Sequence, residues 1–160
     1  LGLTLAGYHA INALRLDKGY RAFGAELGPD RTPLEAGLTF TCDLDGDRAF
    51  VGREALERQR AAGPRRRLAS FVVEDPAAVL WGGELLLRDE VPVGQVTSAA
   101  LSATLGAAVG LAWLWDPRGG PVAREVLGAD GYAVDVAGAR HPVRLSARSP
   151  HDPTNGHIRV

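Results

Sequence analysis

The sequence predicts an α+β chain: a mixed α and β segment over 1–63, a small antiparallel β-barrel over 64–148, and a tail over 149–160. Three observations carry this. Two helix-like stretches, "YHAINALRL" and "GREALERQRAAG", stand before Gly63-Pro64. After Pro64 the runs become strand-like: "RRRLASFVVE", "GELLLRD", "PVGQVTSAAL" and "LGAAVGLAWLW". Gly, Pro and Asp punctuate those runs at short spacing, as in a sheet closed on itself.

Element by element, 8–16 favours a helix. Ala10, Ala13 and Leu14 are good formers, Ile11 and Leu14 fall on one face, and Gly19 is a plausible stop. "GPDRTP" over 28–33 is a loop, and "LEAGLTFTC" looks like a turn into a short strand. The second helix opens after Gly52 and ends at Gly63-Pro64, with Glu54 and Arg58 in the favourable order four apart. "RDEVPVG" carries a hairpin-type turn. "GPVAREVL", "GYAVDVAG" and "RHPVRLSA" supply three shorter strand candidates. The tail "RSPHDPTNGHIRV" is rich in Pro, Asp and Asn, and is expected to wrap the surface or fray.

Composition narrows the function classes. A hydrophobic share of 46% over 160 residues is enough for a real core. A net charge of −1 gives no long-range pull toward nucleic acid or an anionic membrane. Arg65-Arg66-Arg67 lacks the interleaved aromatics of a nucleic-acid patch and reads as a solvated helix end leading into a strand. No apolar run approaches a membrane span of ~20 residues. The single cysteine, Cys42, excludes an internal disulfide and suits a reducing, cytoplasmic compartment; it is expected as a packed thiol. The chain contains no methionine and reads as a piece of a longer polypeptide.

Chemistry-bearing motifs are sparse. There is no G-x-G-x-x-G, no P-loop and no nucleophile elbow, and His9, His141, His151 and His157 lack metal spacing. One feature stands out. Asp17, Lys18, Tyr20 and Phe23 cluster at the exit of the first helix. A carboxylate there opposes the helix dipole and costs a little unless something offsets it. An ion pair with Lys18, Arg15 or Arg21 would do so. A ligand with two parallel N–H donors, such as the edge of a pterin or purine, would also do so. Arg48, closing "DLDGDR", could serve an anionic tail.

"GYHAINALRLDKGYRAFGAELGPDRTPLEAGLTFTCDL", followed by "FVGREALERQRAAGPRRRL", resembles the folate-binding half of the sarcosine and dimethylglycine dehydrogenases. That half is itself similar to the glycine cleavage T-protein, an aminomethyltransferase. "VGQVTSAALSATLGAAVGLAWL", "DPRGGPV" and "SPHDPTN" continue the likeness. The resemblance implies the end of the middle part of a three-part folate-binding unit over 1–63 and its small barrel over 64–148. It implies that an upstream domain holds FAD and oxidises an N-methyl amine, and that tetrahydrofolate accepts the released one-carbon unit. The acid after "LRL", a glutamate in the family, holds the pterin edge; here it is Asp17, one methylene shorter. Arg48 falls where the family often carries an arginine near the folate, and Tyr8 is a further pocket candidate. The family's catalytic aspartate lies upstream, so no catalytic residue is assigned here. Glu35 reads as structural, bonding backbone in its turn. The expected partners are tetrahydrofolate and the upstream domains of the same polypeptide. Two other readings stay open: a stand-alone aminomethyltransferase, and a non-catalytic folate-binding interaction module.

Overall fold

The computed structural model describes residue 2 and residues 4–157. Helix α1 (Tyr8–Asp17) opens the fold, and α2 (Arg53–Ala62) precedes six strands. These are β1 (Arg66–Val73), β2 (Leu85–Arg88), β3 (Val91–Ser102), β4 (Ala107–Trp115), β5 (Tyr132–Val136) and β6 (Ala139–Ser146). They close into one antiparallel barrel in the order β1-β4-β3-β2-β5-β6, with β6 returning to β1. Closure removes both sheet edges, so no extra strand is needed to protect one.

The run "LGAAVGLAWLW" is apolar almost throughout because β4 is buried on both faces. Ala108, Ala112 and Leu114 join the barrel interior with Phe71, Val96 and Val134. Val109, Leu111 and Trp113 form a second core outside the barrel with Leu16, Ala36 and Leu68. Gly110 faces inward, and a Cβ there would sit 2.5 Å from the Phe71 ring. Two tight hairpins rest on left-handed pairs: Asp89-Glu90 (φ 51° and 63°) and Ala137-Gly138 (φ 50° and 89°).

Two sequence expectations fail. "LEAGLTFTC" forms a 3₁₀ turn over Thr39–Thr41, not a strand. Phe40 is 84% exposed, so its alternation marks no buried face, and Cys42 is half-buried in the loop that follows. "GPVAREVL" also forms no strand. It becomes a 3₁₀ turn (Arg124–Gly128) that drops Leu127 into the barrel core and is tied down by Val122 N–H to Pro64 O at 2.8 Å. The basic run is only partly solvated. Arg66 pairs with Glu35 and Arg67 donates to Val122 O, which leaves Arg65 exposed.

The loop before the barrel is built by its own side chains. Thr32 Oγ1 accepts from Glu35 N–H at 3.2 Å, and Glu35 Oε2 accepts from Thr32 N–H at 3.0 Å, a reciprocal capping box. Glu35 Oε1 also accepts from Arg66 at 3.0 Å, which gives this carboxylate its structural role. Arg53, the first residue of α2, wraps the "DLDGDR" turn by donating to the carbonyls of Asp43, Leu44, Gly46 and Arg48.

Candidate functional site

Helix α1 packs on β3 and β4, yet it buries only its last two residues, Leu16 and Asp17. Ile11 and Leu14 share a face as expected, but that face is open, at 56% and 59% exposed. The helix stops at Asp17 because Gly19, at φ +62°, turns the chain into the left-handed region. Lys18, Gly19 and Tyr20 donate their N–H groups back to Leu14, Leu16 and Arg15. Asp17 is thereby pressed into the junction between helix, barrel and tail, at 3% exposed.

The three cations expected to pair with Asp17 are all engaged elsewhere. Arg15 pairs with Glu26 at 3.0 Å and donates to Ser98 Oγ at 2.8 Å. Lys18 donates to the Asp152 carboxylate at 3.1 Å. Arg21 donates to the carbonyls of Gly19 and Ala36. Burial pulls the Arg21 guanidinium below its ordinary pKa, and Glu26 pushes it the other way. Among the described residues nothing pairs with the Asp17 carboxylate, and its Oδ1 is buried without a hydrogen-bond partner. A buried acceptor left open costs about 1–3 kcal/mol, so a donor from outside this chain is the arrangement that would satisfy it.

The sequence did not signal the neighbouring carboxylate, Glu26. It is fully buried and accepts from Arg15, Ala22 N–H, Thr97 Oγ1 and Ser98 Oγ at 2.6–3.0 Å. A bulge in β3 makes this possible. The register shifts between Val96 and Ser98, so two consecutive hydroxyls reach the same carboxylate instead of alternating across the sheet. The "VTS" run is therefore a fastener between the N-terminal segment and the barrel.

Arg48 and Tyr8 are not brought to Asp17 within this chain. Arg48 is exposed and engages Arg53 only through its carbonyl. Tyr8, 81% exposed, stands nine residues before Asp17, about 13 Å along the axis and on the opposite helix face. Its ring meets His9 edge-on at 6.3 Å. A separate cleft of about 890 Å³ lies against the barrel wall, where Arg31 and Arg66 stack on Trp113 at 5.0 and 5.9 Å. Arg31 and Arg66 are already paired with Asp30 and Glu35, and exposed Arg65 also lines the cleft. Among the described residues no group of three or more His, Cys, Asp or Glu is placed to hold a metal.

The architecture defines a class: a six-stranded barrel carrying a helical segment on its outer wall. The chain belongs to the glycine cleavage T-protein family. The family model described as "Glycine cleavage T-protein C-terminal barrel domain" matches residues 66–152, and "GCVT N-terminal domain" matches residues 1–46. Human sarcosine dehydrogenase (mitochondrial) is 42% identical over 99% of the chain, which spans 17% of that relative's length. An aminomethyltransferase of Rubrobacter xylanophilus is 41% identical over 71% of the chain and 30% of its own length. The crystal structure of aminomethyltransferase T from Bartonella henselae shares the fold, with a TM-score of 0.68 at 21% identity over 84% of this chain and 36% of that one.

Proposed function

We propose that this chain forms part of the tetrahydrofolate site of a flavin-dependent N-methyl amine dehydrogenase acting on sarcosine or dimethylglycine. The observation that carries the reading is the buried Asp17 Oδ1, left without a donor while every neighbouring cation is committed elsewhere. A pterin edge offers two parallel N–H donors, which is what a buried carboxylate lacks. When bound, tetrahydrofolate would supply the nucleophilic nitrogen that takes up the one-carbon unit. Asp17 orients that ring. Arg48, exposed on its turn, serves the anionic end of the ligand, and Tyr8 contributes from the far end of α1 once other parts of the polypeptide complete the pocket.

The open face of α1, with Tyr8, Ile11 and Leu14 exposed, fits packing against such upstream parts. FAD belongs to that upstream region, and the isolated chain is expected to turn over no amine. The likeness to sarcosine dehydrogenase, 42% identical over 99% of the chain, is fuller than that to aminomethyltransferases, which run from 41% over 71% to 33% over 92%, and this supports the dehydrogenase over a stand-alone aminomethyltransferase. We keep a reducing, cytoplasmic setting as part of the proposal; the human relative is mitochondrial. Among the described residues no helix is long and apolar enough to cross a membrane.

The test is the visible spectrum of the intact polypeptide before and after sarcosine, without oxygen. A flavin band that bleaches is the expected result. Absence of a flavin band moves the function to an aminomethyltransferase or to a non-catalytic folate-binding module, which tetrahydrofolate binding and turnover then separate.

A further inference from the structure

The described part of the tail, residues 149–157, is tied down. It folds back onto the exit of α1, and it does so at three points. His151 N–H donates to the Asp17 carbonyl at 2.9 Å. Lys18 Nζ donates to the Asp152 carbonyl at 3.0 Å and to its carboxylate at 3.1 Å. Gly19 packs against the tail as well, since a Cβ there would meet Ser149 Cα at 3.5 Å, and against Ser70 Oγ of β1 at 3.1 Å. The tail is also closed on itself. The Asp152 carboxylate accepts from Gly156 N–H at 2.8 Å and from His157 N–H at 3.3 Å, and the rings of His151 and His157 stack at 6.2 Å. Asp152 holds φ at +44°, a left-handed conformation that a non-glycine residue adopts at a cost.

We infer that tail residues 149–157 are a strap that positions the Asp17 carboxylate for its ligand, with Lys18 and Asp152 as the positioning pair. This deepens the proposed tetrahydrofolate site and rests on that reading. Two physical effects support it. The last carbonyls of a helix have no partner within the helix, and the strap supplies one to the residue that carries the functional carboxylate. The strap also commits the nearest ammonium. Lys18 is the sequence neighbour of Asp17 and the simplest source of a neutralising charge; with 14% and 6% of their side chains exposed, Lys18 and Asp152 hold each other instead. Asp17 is thus fixed in place by backbone contacts, and its carboxylate is left unpaired within the described residues.

The experiment compares Asp152→Asn, Lys18→Met, Lys18→Arg and Asp17→Asn with the unaltered intact polypeptide. Tetrahydrofolate Kd is read by calorimetry, its KM and kcat by turnover, and melting temperature in parallel. Asp152→Asn and Lys18→Met are expected to raise Kd and KM about tenfold, a partial loss of the charged contact to the ligand. Their kcat at saturating tetrahydrofolate should stay within about twofold, because the proposed contacts act on binding and not on the chemical step. Lys18→Arg, which keeps the charge, should recover most of the affinity. If Asp152→Asn fails to fold, the two Lys18 variants carry the test. A folded Lys18→Met with unchanged Kd, beside an Asp17→Asn whose Kd has risen, overturns the strap and leaves the tetrahydrofolate site standing. An Asp17→Asn with unchanged Kd overturns both.

Discussion

Glu26 and Asp17 lie nine residues apart, and both are buried carboxylates, at 0% and 3% exposed. Their surroundings are opposite. Glu26 accepts from an arginine, a backbone N–H and two hydroxyls, whereas the Asp17 carboxylate accepts from nothing among the described residues. Removing a carboxylate from water costs several kcal/mol, so a fold keeps one only when partners offset that cost. Glu26 has its partners in this chain and joins α1 to the barrel. Asp17 has its backbone fixed and its carboxylate unpaired, which is what the proposed ligand contact requires. The difference teaches that burial alone does not single out a candidate acid; burial without partners is what sets Asp17 apart from Glu26.

The comparison breaks first at Glu26. Glu26→Ala would take the carboxylate partner from half-buried Arg15 and the acceptor from Ser98 Oγ and Ala22 N–H, a loss of about 3 kcal/mol of folding stability. Urea denaturation of the intact polypeptide checks it; a loss below about 1 kcal/mol, in the range of exposed pairs, would remove Glu26 from its structural role. Asp17→Asn should behave in the opposite way. Folding stability should hold or rise, while tetrahydrofolate affinity falls by about 1.5–3 kcal/mol, the worth of a hydrogen bond to a charged group.

A smaller effect separates the strap by pH. Burial pushes the Asp152 carboxyl up, but Lys18 and the N–H groups of Gly156 and His157 outweigh it and hold the group below its ordinary value. A depressed carboxyl contributes stability that is complete above the unfolded pKa of ~3.9 and is lost as pH falls through the lower folded value. The stability gap between the unaltered protein and Asp152→Asn should therefore be open at neutral pH and close in acid. A gap that stays constant across that range would mean the Lys18 pair contributes no charge-dependent stability. The smallest effects belong to the exposed residues. Arg48→Ala should weaken tetrahydrofolate binding by about 0.2–1 kcal/mol, as for a solvated charge. Tyr8→Phe should change it by less than about twofold, since a hydroxyl in water gains little from one more partner. A larger loss from either would place that residue inside a pocket completed by other parts of the polypeptide.

The barrel was legible because its strands announce themselves locally. β-branched and apolar runs end at Gly, Pro or Asp, and "RDEVPVG" turns in the two residues its spacing implies. The two false strands, "LEAGLTFTC" and "GPVAREVL", have similar local composition. What decides against them is global: the barrel closes with six strands and offers no free edge. The helix exit was legible as an acid beside a base and a glycine, and the capping box was legible as "TPLE" once Glu35 was read as structural. The fate of each charge was not. Arg15 reaches Ser98 across 83 positions and Lys18 reaches Asp152 across 134, contacts that no local pattern encodes. The Glu26 fastener depends on a β-bulge, and a bulge shows in the register rather than in the sequence.

The most direct test of the account is tetrahydrofolate binding to the intact polypeptide with Asp17 intact and with Asp17→Asn, alongside the melting temperature of each. The account predicts affinity lost by about tenfold or more with the melting temperature held or raised, since a charged contact to the ligand disappears and an unpartnered buried charge is removed. Unchanged affinity with a lowered melting temperature would contradict it, and would make Asp17 a structural acid like Glu26 whose partner lies elsewhere in the polypeptide.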